Sequence, residues 1–354
     1  MGWYPGGWEY RKAVTVDHTK VTADLTDFPL LISVVDPDLS AAQASGADFL
    51  VTAADGVTKL SHEIDSWDAG TQTLVLWVKV PALSSSSDTV LYLYYGNATA
   101  ANQENVPDVW SNGYAGVWHL GETGSGQVGD YRDSTANANN STNTTHQPAP
   151  VAGMIGGAQH FTGGPYIRVG GNAGLCPASV TMQAWARATA PLPSWEGIVT
   201  ECDNYDVPKT GLNLQFGSTQ NIASYTPPAG YAKTVWPPVV GTWYHVAATN
   251  DGAATRLYVG GVQQASLAGG ITYHTPPPDL YIAEFYSDIL SLPFTGDIDE
   301  VRISSVPRSA DWLATEYANQ SSPATFLALG AQQMAIFSRR SLTGFRAGSR
   351  QQVH

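Results

Sequence analysis

The strongest constraint on this chain is a recurring short run of β-branched and aromatic residues closed by turn residues. "KAVTV", "FPLLISV", "TLVLWVKV" and "TVLYLYY" fall within residues 8–95. From 151 to 305 come "GAQHF", "YIRVG", "VTMQAWARA", "GIVTE", "GLNLQF", "TWYHVAATN", "TRLYVGG", "LYIAEF" and "DIDEVRIS". Such side chains suit a pleated, half-buried surface, and the Gly, Pro, Asn and Asp between them suit turns. No long stretch carries a convincing helical period. The fold class expected is all-β, built as β-sandwiches. One short helix is expected in "SADWLATEYAN", with Ser309 as N-cap, Asp311 in the first turn and Trp312 facing the core.

A chain of 354 residues suits two domains of ordinary size. Residues 121–150 are almost free of large apolar side chains, while "GYAGVWHL" just before them reads as a new strand. The boundary is therefore set near 112, with the polar segment as a long loop of the second domain. The division expected is 1–112 for the first sandwich, 113–335 for the second, and 336–354 for a C-terminal extension.

Charge excludes some functions. The formal net charge is −13, and phosphate contacts need a Lys/Arg excess, so general nucleic-acid binding is not expected. Glu316 is the last acid. Arg339, Arg340, Arg346 and Arg350 follow it, so residues 317–354 carry +4 and the remainder −17. That tail reads either as an assembly anchor on an acidic neighbour or as a solvated extension. No apolar run is long enough for a membrane helix, and "MGWYPGGWEYRK" shows no signal-peptide pattern. Cys176 and Cys202 allow one bridge at most and do not make a zinc pattern.

Two resemblances cover much of the chain. "GVWHL" (116–120), "DSTANANN" (133–140), "GGAQHF" (156–161), "MQAWAR" (182–187), "GTWYHVAAT" (241–249), "TRLYVGG" (255–261) and "GDIDEVRIS" (296–304) resemble the laminin-G-like, concanavalin A-like jelly roll. "WEYRK" (8–12), "DFPLLI" (27–32), "GADFLVT" (46–52), "HEID" (62–65), "WVKVP" (77–81) and "LYLYYGN" (91–97) resemble the family of unknown function numbered 2341. This pairing implies a phage structural protein or a bacterial surface protein, located on a virion or outside the cell. Its expected partners are copies of itself, other virion or surface subunits, and cell-surface glycans. A carbohydrate-binding module or adhesin is the alternative, and a glycoside hydrolase the third reading.

The candidate sites follow. Strand alternation in "GDIDEVRIS" puts Asp299 with Val301 and Ile303 facing the core, and Glu300 with Arg302 facing outward. The jelly-roll resemblance implies a structural calcium held by Asp299 together with Asp133 and Asn137 or Asn139 of the polar loop, since calcium takes hard oxygens. Glu63 and Asp65 in "HEIDSWD" resemble half of a family-16 glycosidase signature, but the third acid is displaced to Asp68. They read as an exposed acidic strand end, and no catalytic residue is expected. His62, His119 and His245 lack metal spacing, and His119 and His245 read as satisfied core or face residues. Trp195, Tyr205, Tyr225, Tyr231 and Trp236 lie in expected loops, where rings stack on sugars or meet a neighbouring subunit.

Overall fold

The computed structural model describes residues 2–335 apart from 193, 204–209, 218–220, 227–228, 274 and 288–289. Tyr205 and the four tail arginines, Arg339, Arg340, Arg346 and Arg350, lie outside the described residues.

The alternating runs of the first region pair into two antiparallel sheets. In one, Tyr10–Val16 pairs with Thr89–Tyr95, which pairs with Leu50–Ala53, which in turn pairs with Lys59–Leu60. In the other, Thr73–Leu83 lies between Leu25–Val35 and His62–Asp68. Side chains two residues apart point the same way, so Val14, Val16, Leu91 and Leu93 meet Leu30, Ile32, Leu74 and Leu76 in one core.

The second sandwich is larger. One sheet runs Val262–Ala268, Ala254–Val259, Tyr244–Asn250, Val180–Ala188, Thr295–Ser304, Gly157–Thr162 and Ala149–Ala152, with Tyr114–Trp118 also on Thr295–Ser304. The facing sheet runs Ile167–Val169, Leu280–Ile282, Glu196–Asp203, Thr210–Phe216, Ile222–Thr226 and Gly230–Lys233. Met182, Ala184, Val246, Leu257, Ile298 and Ile303 of the first meet Ile198, Leu212, Leu214, Phe216 and Ile222 of the second. The long loop is tied in from its centre. Tyr131 is fully buried in this core; its carbonyl accepts from the Ser141 N–H and its N–H donates to Ser141 Oγ, and Ser141 bridges to Val169.

The expected helix spans Ala310–Ser321, and Ser309 Oγ accepts from the Trp312 N–H at 3.1 Å. It bonds the two sandwiches. Trp312 packs edge-on against Phe28 at 5.2 Å, with the Arg308 guanidinium 4.2 Å over its ring. The Asn319 side chain accepts from the Leu31 N–H at 2.8 Å and donates to the Leu31 carbonyl at 3.0 Å. It thus takes the place of a neighbouring strand on the open edge of Leu25–Val35.

One boundary differs from the expected division. Leu327–Leu329 and Gln333–Met334 leave the second sandwich and pair with Tyr10–Val16, in the register Val16↔Leu327 and Tyr10↔Met334. The range 113–335 therefore gives up its last strands to the first sheet. The cause is the bare edge of Tyr10–Val16, whose backbone groups need partners. Cys176 is a free thiol. Among the described residues no helix is long and apolar enough to cross a membrane.

Trp312 is 6% exposed and sits where helix and first sandwich meet. Trp312→Ala should lower stability by about 3–5 kcal/mol, read from urea unfolding followed by far-UV circular dichroism.

Candidate functional site

Two places concentrate polar chemistry. The first is a cleft between the sandwiches, and two β-bulges build it. In His62–Asp68 the pairing with Thr73–Leu83 skips from Ile64 to Ser66, leaving Asp65 as the extra residue. In Thr295–Ser304 it jumps from Trp185↔Asp299 to Gln183↔Arg302, and Glu300 takes φ +51°. A bulge re-aims the side chains around it.

The second bulge overturns the expected alternation. Ile298, Val301 and Ile303 face the second core, while Asp299 turns outward with Glu300 and Arg302. Asp299 Oδ2 accepts from the N–H of Ile155, a residue of the first core, at 2.9 Å. Glu300 does not reach solvent, because the first sandwich covers it and leaves it 2% exposed. Glu63 is likewise not a solvated strand end. It is 7% exposed, because the second sandwich packs over it.

His119 joins the two domains' acids. Its Nδ1 lies 2.7 Å from Glu300 Oε1 and its Nε2 3.2 Å from Glu63 Oε2. Glu63 also accepts from Trp110 Nε1 at 2.5 Å and from Ser134 Oγ at 2.6 Å. Beyond Glu300 the chain of charges continues. Arg302 Nη2 donates to Glu300 at 2.6 Å and Nη1 to Glu316 at 2.7 Å, with Trp77 and Trp110 rings 4.3 and 4.7 Å from the guanidinium. Burial opposes the His119 charge, yet Glu300 and Glu63 hold its pKa well above the ordinary imidazole value. Burial also opposes the charges of Glu63 and Glu300. His119 keeps both below the usual carboxylate range, with Arg302 assisting at Glu300.

Asp65 and Asp299 have no such cation of their own. Burial, reinforced by the charges of Glu300 and Glu63, pushes Asp65 up to about 7. Burial and Glu300 push Asp299 well above its ordinary value. Asp65 lines a cavity of about 480 Å³ together with Glu63, Glu122, Arg132, Ser134 and Gly157. His62, fully buried with burial lowering it to about 4, and His245, where burial again lowers the value to about 3, are neutral core residues.

The calcium set expected from the loop does not fit these contacts. Asp133 Oδ1 accepts from Val117 N–H and Thr135 N–H, and Oδ2 accepts from Thr135 Oγ1 and Asn139 N–H, all at 2.8–2.9 Å. Four donors occupy its acceptor positions. Asn137 and Asn139 both donate side-chain N–H groups to the Ala115 carbonyl, and Asn139 Oδ1 accepts from Asn172. Protein groups therefore pin the loop, and Asp299 serves the cleft.

The second place is the outward face of the sheet containing Thr210–Phe216. Cross-strand register sets Thr200, Asn213, Tyr225 and Tyr231 in one row, opposite in sense to the core residues Leu212, Leu214 and Ile222. Tyr225 and Tyr231 stand 4.6 Å apart, and Trp195 stacks on Tyr231 at 5.1 Å and 19°. Gly217 makes room for Trp195, since a Cβ there would lie 2.9 Å from the ring. Gln215, 2% exposed, holds an unpartnered Oε1 in the neighbouring row. Trp236 stands apart, packed on Tyr244 and the second core. The sequence singled out the three rings separately. Asn213 belongs to this row and Gln215 to the next, which only the register reveals.

Removing His119 leaves the buried Glu63 without a cation and Glu300 with Arg302 alone, so His119→Ala should cost about 3–5 kcal/mol in equilibrium unfolding. Asp65 binds its proton more tightly folded than unfolded, as does His119. Their contribution is fully present below the unfolded values and is lost as pH rises through the folded ones. The protein should therefore lose thermal stability as pH rises from about 5 to about 8, and Asp65→Asn should flatten that slope.

No curated protein matches the chain. Among solved structures, domain 4 of AbnA, an extracellular GH43 arabinanase of Geobacillus stearothermophilus in complex with arabinotriose, is similar at 20% identity and TM-score 0.44, over 58% of this chain and 98% of that one. Trypanosoma rangeli sialidase in complex with sialic acid is similar at 13% identity and TM-score 0.48, over 76% of this chain. The match spans 44% of that sialidase, under half its length. The CBM40 of Ruminococcus gnavus IT-sialidase is similar at 12% identity and TM-score 0.39, over 45% of this chain and 96% of that one. Residues 45–115 match the model of a domain of unknown function, DUF2341, and residues 161–314 match that of the concanavalin A-like lectin/glucanases superfamily. The chain thus carries a DUF2341 domain followed by a concanavalin A-like jelly roll.

Proposed function

We propose that this chain is a non-catalytic, glycan-binding component of an extracellular assembly, a virion or a bacterial surface. The observation that carries the reading is the row of Trp195, Tyr231 and Tyr225 beside Asn213 and Gln215. Flat rings cover the C–H faces of a sugar, and amides bond its hydroxyls. The superfamily of the second domain is described as lectins and glucanases, which supports a carbohydrate ligand. Cleavage at Glu63 and Asp65 is the weaker reading. Both Glu63 oxygens are taken by Ser134, Trp110 and His119, as in a structural tie rather than a nucleophile.

A glycan array probed with the full chain should return a defined set of binders. Trp195→Ala and Tyr231→Ala should each weaken them by about tenfold or more, with folding checked by near-UV circular dichroism. Binding untouched by either change, or hydrolysis of a bound oligosaccharide, would overturn the proposal. Assembly with copies of itself or other subunits through the arginine tail belongs to the same proposal. Removing residues 336–354 should then lower the number of chains per particle found by light scattering, and an unchanged number argues against a tail anchor.

A further inference from the structure

We propose that the DUF2341 domain carries a binding site of its own, separate from the aromatic row on the jelly roll, in which Arg11 receives the carboxylate of an acidic sugar. The site is a cavity of about 540 Å³ on the outward face of the first sheet, lined by Trp3, Tyr4, Trp8, Arg11, Gln333 and Met334 among others.

Strand alternation builds the floor. Val14 and Val16 face the first core, so Arg11 faces the other way, beside Tyr92 and Tyr94 of the neighbouring strand. The residues before Arg11 fold over that face. Gly6 and Gly7 take φ +106° and +100°, which bends the chain so that Trp8 meets Tyr4 edge-on at 5.3 Å. Trp8 Nε1 donates to the Asp48 carbonyl at 2.7 Å, and Trp3 Nε1 to the Trp8 carbonyl at 2.9 Å. Both indole N–H groups are thus used within the protein, and the rings have apolar faces to offer a ligand.

Arg11 is what selects the ligand. It is 6% exposed, and its guanidinium lies 4.1 Å from the Tyr92 ring and 4.6 Å from the Trp3 ring. Three of its five N–H bonds are committed: Nε donates to Gln333 Oε1 at 2.8 Å, and Nη1 to the Gly2 carbonyl at 2.6 Å and to the Tyr94 hydroxyl at 2.8 Å. Among the described residues Nη2 has no partner, and no carboxylate pairs with Arg11. Acids are not scarce, with 30 Asp and Glu against 17 Lys and Arg. Two other buried cations, Lys12 and Arg302, each take two carboxylates. A buried cation without an anion is costly, and the rings offset only part of that cost. The cavity lining contains no Asp or Glu, so a ligand that brings the negative charge fits it. Arg11 Nη2 and the amide nitrogen of Gln333 supply donors for the two oxygens of a carboxylate. The rings suit the C–H face of a pyranose, and the volume falls within the roughly 300–1,000 Å³ usual for small-ligand pockets.

The test is titration calorimetry on the full chain. The probes are a galacturonic acid trisaccharide and N-acetylneuraminic acid, each with its methyl ester as a neutral twin. At least one acid should bind, and its ester should bind about tenfold more weakly or worse, a comparison that needs no variant. Arg11→Lys keeps a charge but loses the planar fork, and should weaken the acid by about tenfold or more. Gln333 is exposed, so Gln333→Ala tests the site at little risk to the fold, and should weaken the acid by about threefold. Trp195→Ala should leave this binding in place, so failure of this site and failure of the aromatic row are told apart. Acids that bind no better than their esters, affinity unchanged in Arg11→Lys or in Gln333→Ala, or binding lost in Trp195→Ala would each rule the site out. So would tighter binding of a sulfated sugar or of a peptide carboxylate.

Discussion

The architecture depends on one row of buried charges, Glu63, His119, Glu300, Arg302 and Glu316, running from the first sandwich across the second to the helix. Each ion is costly to bury alone. Each is tolerable here because it meets an opposite charge, and the Trp77 and Trp110 rings exclude water from the row. Such a row adds little net stability over an apolar interface, but it fixes geometry, since any other docking leaves a charge unpaired. The two sandwiches therefore meet in one arrangement. The carboxyls without a cation, Asp65 and Asp299, fall where both domains contribute.

Much of this was legible in the sequence. Period-two runs located the strands, and Ser309 with Trp312 located the helix and its buried face. "HEID", "GVWHL" and "GDIDEVRIS" each drew attention as single motifs. Their union did not, because residues 63, 119 and 300 meet only after two sandwiches dock. Alternation also failed at the two positions that matter most. Asp65 and Glu300 sit at bulges, and a bulge is a property of a strand with its partner. Nothing in "GDIDEVRIS" alone announces that Glu300 takes a positive φ.

The row of aromatic rings on the second sandwich shows the converse. The rings were visible as loop aromatics, yet Tyr225 and Tyr231 belong to strands joined across a hairpin, Ile222–Thr226 and Gly230–Lys233. Hairpin register, not composition, brings them to one face. Trp195 reaches them only because residue 217 is a glycine. Trp236, equally aromatic and equally close to prolines, turns into the core instead. Burial of a ring is decided by what lies beneath it, which a single sequence does not display.

The pairing of Leu327–Leu329 with Tyr10–Val16 has a consequence for synthesis. The second sandwich is in effect an insertion between the body of the first and its closing strand. A ribosome delivers Tyr10–Val16 early and its last partner more than 300 residues later. Until then that strand offers an open edge to any chain nearby, the kind of edge on which nascent proteins aggregate. The helix at Ala310–Ser321, docked on Leu31, closely precedes the sealing strand in the chain and so delivers it to that edge.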